Sequence, residues 1–334
     1  MQQGVGTRYT AAVLRVQRAG RVVFEAAYGA LDAHAGARPT VVDTRFDLAS
    51  LTKVYVGAAL LLAVLDGDVA LDEPASRWLV EWRDTAHAPI TPRMLLAHTA
   101  GLQSGADYRT LFGEEVERFA LARALVGAPG SAVVYSDLGY IALGVLLARA
   151  RGTSLARVCS AACTRLGCSA TTFRPRNDEP AAIPATERDA WRGRVRGAVH
   201  DEKAYLMRGV AGHAGLFGTA RDMGALAEAF LAALHGRSSA FSNAAARDAV
   251  AEHGADPVLR RGLAWALKTS DANSCGTAMD RSTFGHTGFT GTSLWADPTR
   301  DLSIVLLTNA VYYGRHDLRD VRAAVCDACV AEFG

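Results

Sequence analysis

Ser50 and Lys53 are the residues whose types and spacing most directly suggest chemistry in this chain. They stand three positions apart, immediately before an apolar run at 54–64. If that run is a helix, positions i and i+3 share a face, and the lysine amine can reach the serine hydroxyl. A desolvated lysine can lose its proton and act as a base, so the pair is a candidate nucleophile with its activator.

The composition strengthens this interpretation of the lysine. The chain has 36 lysine and arginine residues, of which only Lys53, Lys203 and Lys268 are lysines. Arginine stays protonated at any working pH, so a lysine kept in an arginine-rich chain suggests a role that arginine cannot fill. A Ser-x-x-Lys pattern also arises by chance, and taken alone the pair leaves a purely structural role open.

Length, charge and hydrophobicity limit the class of protein. With 334 residues, half of them apolar and 21% charged, the chain can form one large core or two smaller ones. The net charge of +2 gives no argument for a nucleic acid or an anionic membrane as partner. The longest apolar stretch is too short to span a bilayer, and no secretory signal is visible. We therefore expect a cytoplasmic protein without a membrane span, and the sequence predicts no oligomeric state.

The six cysteines fit that compartment as free thiols. Cys159 and Cys163 lie four residues apart, and Cys326 and Cys329 lie three apart, in segments with a helical pattern. Two such pairs could bind zinc, but neither has the glycines or histidines that accompany zinc ribbons. We expect small buried helix residues instead, and neither a metal nor a cofactor.

The apolar pattern predicts strands at both ends of the chain and helices between them. Predicted strands cover residues 11–17, 22–28, 262–267, 292–296 and 302–308. Predicted helices start near Ser50 and cover 120–125, 141–150, 155–166, 221–235 and 317–332, with a proline-bearing loop at 174–184. Strands from both termini predict one sheet, so we expect an α/β (α+β) fold. The predicted division is an α/β sheet domain of residues 1–66 and 201–334 and a mainly helical domain of residues 67–200.

Two further short elements complete a chemical pattern. Tyr135 and Asp137 belong to a Tyr-Ser-Asp element directly before an apolar, helix-like run. His286, Thr287 and Gly288 form a His-Thr-Gly element ahead of the predicted strand at 292–296.

Other histidines compete with His286 for a place in the site. His213 has similar neighbours, but its segment leads into a predicted helix, whereas the third element should lie on a strand beside the site. His286 is therefore the better candidate. We expect His98 and His213 to be structural residues that bind nearby backbone.

The three elements, in the order Ser-x-x-Lys, Tyr-x-Asn-like and His-Thr-Gly, resemble the motifs of the penicillin-recognising serine enzymes. Residues 95–102 (Leu-Leu-Ala-His-Thr-Ala-Gly-Leu), 210–217 and 294–298 are similar to further segments of that group. The group comprises class C β-lactamases, D-alanyl-D-alanine carboxypeptidases and family VIII carboxylesterases, and the resemblance covers almost the full chain. It implies a β-lactamase/transpeptidase-like fold, with an antiparallel sheet from both chain ends flanked by helices.

The resemblance implies catalytic roles for three residues. Ser50 would attack a carbonyl group and form an acyl-enzyme. Lys53 would help to deprotonate Ser50, and Tyr135 would relay the proton to the leaving group and later activate water. A tyrosine is a poor base at neutral pH unless nearby cations favour its phenolate. Which of the two is the main base stays open.

Other matching residues would bind the substrate. At a helix start the backbone N–H of Ser50 is free to face the developing oxyanion, and the resemblance implies the N–H of Phe289 as the second donor. His286, Thr287 and Gly288 would line the substrate path on a strand.

Three positions depart from the pattern of the group. Asp137 replaces the usual asparagine, and an ionised aspartate only accepts hydrogen bonds, so it could hold Lys53 charged and weaken it as a base. Phe289 stands where many relatives carry a serine or threonine that helps to bind the substrate carboxylate, and it offers apolar surface instead. His286 in place of lysine removes a fixed positive charge. These departures question amide and β-lactam turnover more than ester turnover.

The leading hypothesis is therefore a serine hydrolase that cleaves small or medium carboxylic esters through a Ser50 acyl-enzyme. One alternative is a D-amino-acid peptidase or weak β-lactamase of the same fold. Another is a non-catalytic binding homologue. The intact Ser50, Lys53 and Tyr135 argue against the last alternative.

Overall fold

The structure, a computed structural model, describes residues 1–105, 108–175, 182–254 and 260–334. The central part of the predicted loop at 174–184 lies outside the described residues. The strands are β1 (Ala11–Arg18), β2 (Arg21–Gly29), β3 (Phe46–Asp47), β4 (Thr172–Phe173), β5 (Arg188–Asp189), β6 (Gly193–Arg194), β7 (Leu216–Gly218), β8 (Arg260–Arg261), β9 (Ala266–Leu267), β10 (Phe284–Thr287), β11 (Ser293–Asp297) and β12 (Leu302–Thr308).

The main sheet is antiparallel and combines both ends of the chain, as the sequence predicts. Its order within the described residues is β2-β1-β12-β11-β10-β9-β8. In β1, Ala12 lies opposite Thr308 of β12 on one side and Tyr28 of β2 on the other. All seven residues of β12 are buried, because helices cover both faces of the sheet.

The helices are α1 (Thr52–Leu65), α2 (Pro92–Leu96), α3 (Glu114–Leu121), α4 (Asp137–Ala150), α5 (Leu155–Arg165), α6 (Glu202–Leu206), α7 (Ala220–Leu234), α8 (Asn243–Val250) and α9 (Arg319–Phe333). Successive strand residues face opposite sides of the sheet. Val13 of β1 therefore packs in the cluster that contains α1 and α7, whereas Leu14 packs with Cys326 and Cys329 of α9. All six cysteines are buried free thiols, as expected.

Two predicted elements are wrong in extent. The helix predicted at 120–125 is α3, which starts earlier and ends at Leu121, because acidic residues at 114, 115 and 117 stabilise its first turn. Of the strand predicted at 262–267, only β9 pairs with its neighbours.

The element that positions the site is a small sheet with the order β3-β7-β4. It leads from β3 directly into the turn before α1. Helix α1 is buried from Thr52 to Ala63, which is typical of a helix that is apolar on all sides. The start of α1 is thus anchored between the main sheet and the helices of the middle region.

The proposed division into two domains stays a prediction. Helices α2 to α5 do lie in the middle region at 67–200, but β4 of that region pairs with β7. One apolar cluster also includes Val13 of the sheet and Leu146 of α4. None of the helices formed by the described residues combines the length and apolar character that crossing a bilayer requires.

Candidate active site

Ser50 lies in a tight turn at the start of α1. Residues Ala49–Leu51 form one turn of 3₁₀ helix that runs directly into α1. Ala49 has a φ of +47°, a left-handed conformation that is uncommon for a residue other than glycine. The buried carboxylate of Asp47 accepts hydrogen bonds from Ala49 N at 2.9 Å and from His200 N at 2.6 Å. These bonds hold the strained turn and fix the direction of the serine hydroxyl.

The hydroxyl of Ser50 accepts two hydrogen bonds. Lys53 Nζ, one turn further along α1, donates to Ser50 Oγ at 2.9 Å, and the phenol of Tyr135 donates at 3.1 Å. Tyr135 immediately precedes Ser136, the N-cap of α4, whose hydroxyl accepts from Gly139 N at 2.9 Å. The structure therefore brings the three predicted residues together, while their catalytic roles stay predictions.

Behind Lys53 lies a chain of paired charges, in which the lysines and the histidine are buried and the two aspartates are partly buried. Lys53 Nζ is 2.9 Å from Asp137 Oδ1, and Asp137 Oδ2 is 3.1 Å from Lys203 Nζ. Lys203 Nζ is also 3.7 Å from Asp201 Oδ2, and Asp201 Oδ1 accepts a hydrogen bond from His213 Nε2 at 2.7 Å. The carbonyl of His213 closes the circuit by accepting from Lys53 Nζ at 3.1 Å. We call Lys53, Asp137, Lys203, Asp201 and His213 the ionic wall.

The neighbours of Lys53 determine whether its amine is protonated. Burial by itself lowers the pKa of Lys53, but Asp137 and Tyr135 outweigh that effect and raise it. Burial raises the pKa of Asp137, yet Lys53 and its neighbours lower it below its ordinary value. Both groups therefore carry their charges at neutral pH. The 2.9 Å contact favours the interpretation that Asp137 holds Lys53 charged over the expectation that desolvation lets the lysine lose its proton, and both stay predictions.

Opposite the ionic wall lies the end of β10 and the turn that follows it. We call His286, Thr287, Gly288 and Phe289 the strand wall. A Cβ atom on Gly288 would lie 2.6 Å from the carbonyl oxygen of Leu48, so the backbone here packs directly against the turn of Ser50.

Two threonines lock the strand wall in that position. Thr290 Oγ1 donates to the carbonyl of Asp47 at 2.8 Å, and Thr292 Oγ1 donates to the carbonyl of Leu48 at 3.2 Å. Both acceptors belong to the segment just before Ser50. The spacing between the strand wall and the serine is thus set by side chains.

His286 gives the strand wall no charge. Its Nδ1 donates to the carbonyl of Thr287 at 2.8 Å, and its ring is buried. Burial, together with the charges of Arg261 and Lys53, lowers the pKa of His286 to about 3. His286 is therefore neutral at neutral pH.

Phe289 forms an apolar shelf at the mouth of the site. Its side chain is 57% exposed, and its ring stacks on His200 with centroids 5.7 Å apart. The guanidinium of Arg315 lies 5.6 Å from the ring centre. Glu187 binds both neighbours, His200 at 2.6 Å and Arg315 at 3.0 Å, and so fixes the shelf.

The two walls enclose a cleft of about 990 Å³. Ser50 and Tyr135 line it, and Arg261 lies 5.1 Å from the Tyr135 ring centre. A cleft of this size holds a small organic molecule. Its contents suit acyl transfer: a hydroxyl with two proton-bearing partners, backbone N–H groups and an apolar shelf.

A family model described as Beta-lactamase matches residues 1–327. The chain belongs to the β-lactamase family. N-acetylmuramyl-L-alanine amidase of Bacillus subtilis (strain 168) is 31% identical over 350 residues, which cover 92% of this chain and 79% of that protein. Esterase EstB of Burkholderia gladioli is 31% identical over 353 residues, which cover 92% of this chain and 88% of that protein.

A solved structure shares the β-lactamase-family fold. EstCE1, described as a hydrolase with promiscuous acyltransferase activity, superposes with a TM-score of 0.81 at 23% identity, covering 97% of this chain and 95% of that chain. Together with the named relatives, the family match makes this chain an enzyme of the serine hydrolase kind and removes the non-catalytic interpretation. One relative is named an amidase and the other an esterase at equal identity, so the family alone does not choose the substrate.

Two residues of this β-lactamase-family site escaped the sequence motifs. Asp201 caps α6 by accepting from Ala204 N at 2.9 Å, and Lys203 follows in the first turn of that helix. The rarity of lysine in the chain was the available signal for Lys203. The ligand atoms of Asp137, Asp201 and His213 lie within 4.8 Å of one another, but lysine amines already neutralise both carboxylates, which argues against a metal here.

The two other histidines differ in their partners. His98 Nδ1 accepts from Ser136 N at 3.0 Å, and its ring packs on Tyr135 at 4.5 Å, so the prediction of a backbone-binding role is confirmed. For His213 the same prediction names the wrong partner, because its ring binds the carboxylate of Asp201. Buried His213 thereby connects the two ends of the ionic wall.

Proposed function

We propose that this β-lactamase-family enzyme hydrolyses small or medium carboxylic esters through an acyl-enzyme on Ser50. One observation carries the proposal. Ser50 Oγ lies 2.9 Å from Lys53 Nζ and 3.1 Å from the Tyr135 hydroxyl at the inner end of the cleft. A hydroxyl so placed between an ammonium and a phenol has a supporting charge within reach, and a proton acceptor once the phenol is ionised.

Acylation requires that Tyr135 first release its phenol proton to solvent, after which the Ser50 hydroxyl donates to the phenolate instead of accepting from the phenol. Ser50 Oγ then attacks the ester carbonyl carbon, and its proton passes to the phenolate oxygen of Tyr135. Because Asp137 keeps Lys53 charged, the lysine acts in this step as a cation. Negative charge on Tyr135 lies near two cations, with Lys53 Nζ at 5.0 Å and Arg261 at 5.1 Å from its ring centre. The phenol then protonates the alcohol oxygen as the carbon–oxygen bond breaks, and the acyl group stays on Ser50.

Deacylation repeats the sequence with water as the nucleophile. Tyr135 takes a proton from water, whose oxygen attacks the acyl carbon. The bond to Ser50 breaks, Ser50 Oγ recovers a proton from Tyr135, and the carboxylic acid leaves. The two half-reactions use the same groups in the same places.

The oxyanion of each tetrahedral intermediate faces the N–H groups of Ser50 and Phe289 in this proposal. Within the described residues, neither N–H donates a hydrogen bond to another protein atom. Backbone donors held in place in this way are each worth roughly 3–4 kcal/mol of transition-state stabilisation.

Three features favour esters over amides. Asp137 accepts only, and lysine amines already bind both of its oxygens, so it has no hydrogen to donate to a substrate amide. His286 is neutral and therefore attracts no substrate carboxylate. Phe289 instead offers an apolar surface on which an acyl or alcohol group can pack.

The test is hydrolysis of p-nitrophenyl acetate, butyrate and octanoate by the wild type and by Ser50→Ala. We expect the variant to lose at least about a thousandfold in kcat/KM, and mass spectrometry to find an acyl adduct on Ser50 in the wild type only. Ser282→Ala is the control, since this exposed serine binds Asp280 outside the cleft. If Ser50→Ala keeps the wild-type rate, Ser50 is not the nucleophile.

The second candidate is a D-amino-acid peptidase or weak β-lactamase, which the amidase among the relatives favours. Incubation with a fluorescent penicillin distinguishes it. Stoichiometric, long-lived labelling of Ser50, together with slow ester turnover, would support this candidate over the esterase.

A further inference from the structure

Arg322 of α9 is a buried cation next to the strand wall. Only 9% of its surface is exposed, although α9 otherwise lies on the outer side of the main sheet. Its Nη2 donates to the carbonyl oxygen of Gly288 at 2.8 Å and to that of Thr292 at 3.1 Å. A guanidinium that binds two backbone carbonyls, with no carboxylate on that nitrogen, is unusual, because buried arginines normally pair with acids.

The carbonyl of Gly288 belongs to the same peptide unit as the N–H of Phe289. A trans peptide is planar, so its C=O and N–H point in opposite directions, and fixing one fixes the other. With the carbonyl turned to Arg322, the N–H of Phe289 is turned away from α9. In the proposed function that N–H is one of the two oxyanion donors.

The remaining bonds of this turn leave the peptide little freedom. Gly288 N donates to Thr292 O at 2.8 Å, and Gly291 N donates to Gly288 O at 3.1 Å. Arg322 thus binds both ends of a closed turn. Burial lowers the pKa of Arg322 to about 10, so the guanidinium stays charged at neutral pH.

We propose that Arg322 is a positioning residue for the oxyanion site, an inference that rests on the proposed esterase function. Its charge orients the Gly288–Phe289 peptide and polarises it, so that the Phe289 N–H becomes a stronger donor. Hydrogen bonds connected in series strengthen one another in a low-dielectric interior. The effect grows in the transition state, when the substrate oxygen becomes negative, and is small for the neutral ester in the ground state.

The experiment compares the wild type with Arg322→Met, which keeps much of the side-chain volume and removes the charge. We expect kcat to fall about 10–100-fold with KM changed less than about threefold, since a weakened donor loses part of the 10²–10³-fold that a deleted donor costs. A boronic acid that forms a tetrahedral adduct with Ser50 should bind more weakly by the same factor as kcat/KM. The infrared carbonyl stretch of the trapped acyl-enzyme should move to higher wavenumber.

The control is Arg237→Met. Arg237 also holds a turn, through Asp301 at 2.6 Å, but far from the cleft, so this variant should lose stability and keep kcat, boronate affinity and carbonyl frequency. Where Arg322→Met does not fold, Arg322→Gln, which keeps a neutral N–H donor, is judged by the same criteria.

The outcomes separate this inference from the function on which it rests. If no acyl adduct forms on Ser50 of the wild type, the proposed function and this inference both fail. If the adduct forms but the Arg322 variant keeps its boronate affinity and carbonyl frequency, whatever its thermal stability, the inference alone is overturned.

Discussion

The two walls of the cleft differ in their charge: the ionic wall contains several charged side chains, and the strand wall contains none. In the ionic wall, two lysines, two aspartates and a histidine form a continuous chain of contacts between Lys53 and His213. In the strand wall, His286 is neutral, and the backbone of Gly288 packs against the turn that holds Ser50. Ser50 lies where the two walls meet.

This difference suggests a division of labour. Proton transfer through Tyr135 needs a well-defined charge nearby, and Lys53 of the ionic wall supplies it. Stabilising an oxyanion needs donors held in fixed positions, and backbone N–H groups supply those. A lysine at position 286 would place a positive charge in the strand wall. Because residue 286 is a neutral histidine, the charged side chains belong to the ionic wall and the strand wall carries none.

Removing Lys53 should have the largest effect on the ionic wall. In Lys53→Met, Asp137 loses one lysine and Ser50 loses one hydrogen-bond donor, so we expect kcat/KM for p-nitrophenyl butyrate to fall about 10²–10⁴-fold. Circular dichroism and thermal unfolding check that the variant is folded, because breaking a buried ion pair costs about 3–5 kcal/mol.

Lys268→Met is the matched control for that variant. Lys268 is also buried, and its amine donates to the carbonyls of Thr277 and Met279 at 3.0 and 2.6 Å, away from Ser50. It should lose stability and keep its rate. Comparable rate losses in both variants would show that the effect of Lys53→Met is only structural.

Asp137→Asn also tests the role of charge in the ionic wall, and we expect a smaller effect on the rate than for Lys53→Met. Removing this carboxylate lowers the pKa of Lys53, because Asp137 is the main group that raises it against burial. Because Lys53 acts as a cation, the alkaline limb of the kcat/KM profile should therefore move to lower pH by about 1–3 units, and turnover of a cephalosporin relative to the ester should rise.

Asp222→Asn provides the control for this pH shift. Asp222 is buried and binds Thr171 and Ala170 in another part of the fold. The kcat/KM profile of Asp222→Asn should keep its alkaline limb at the pH of the wild type. An alkaline limb that does not move in Asp137→Asn would mean that the charge of Lys53 plays no part in the rate.

Much of the site follows from local sequence. Ser50 and Lys53 share one helix turn, and Tyr135 precedes a capped helix, so their directions are set within a few residues. The antiparallel sheet was also predictable, since two apolar runs separated by turn residues mark β11 and β12.

The rest depends on contacts between distant segments. Lys53 binds the carbonyl of His213, 160 positions away, and Arg322 binds that of Gly288 across 34 positions. No local sequence pattern predicts such distant partners. The charge of Lys53 was open for the same reason, because it depends on whether burial or a neighbouring carboxylate dominates, and only the distance of 2.9 Å to Asp137 decides that.

The smallest predicted effect concerns stability and tests whether the strand wall is neutral. The pKa of His286 is lowered to about 3 in the folded protein, whereas an unfolded histidine titrates near 6.5. Between these values the unfolded chain binds one more proton at this residue than the folded one, so stability is present above pH 6.5 and is lost as the pH falls. His286→Gln should therefore reduce the slope of unfolding free energy against pH by about 1.4 kcal/mol per unit between pH 6 and 5, measured by urea unfolding.

Two comparisons show whether the change in the slope of unfolding free energy against pH comes from His286. Burial also lowers the pKa of His98 well below its ordinary value, so His98 should still contribute to the slope in the His286 variant, and the pH dependence should decrease without vanishing. His34→Gln is the control, because this histidine is exposed and its replacement should leave the slope unchanged. If His286→Gln keeps the full wild-type slope, His286 is charged in the folded protein. The strand wall would then carry a cation beside the oxyanion site, and the separation of tasks between the two walls would be wrong.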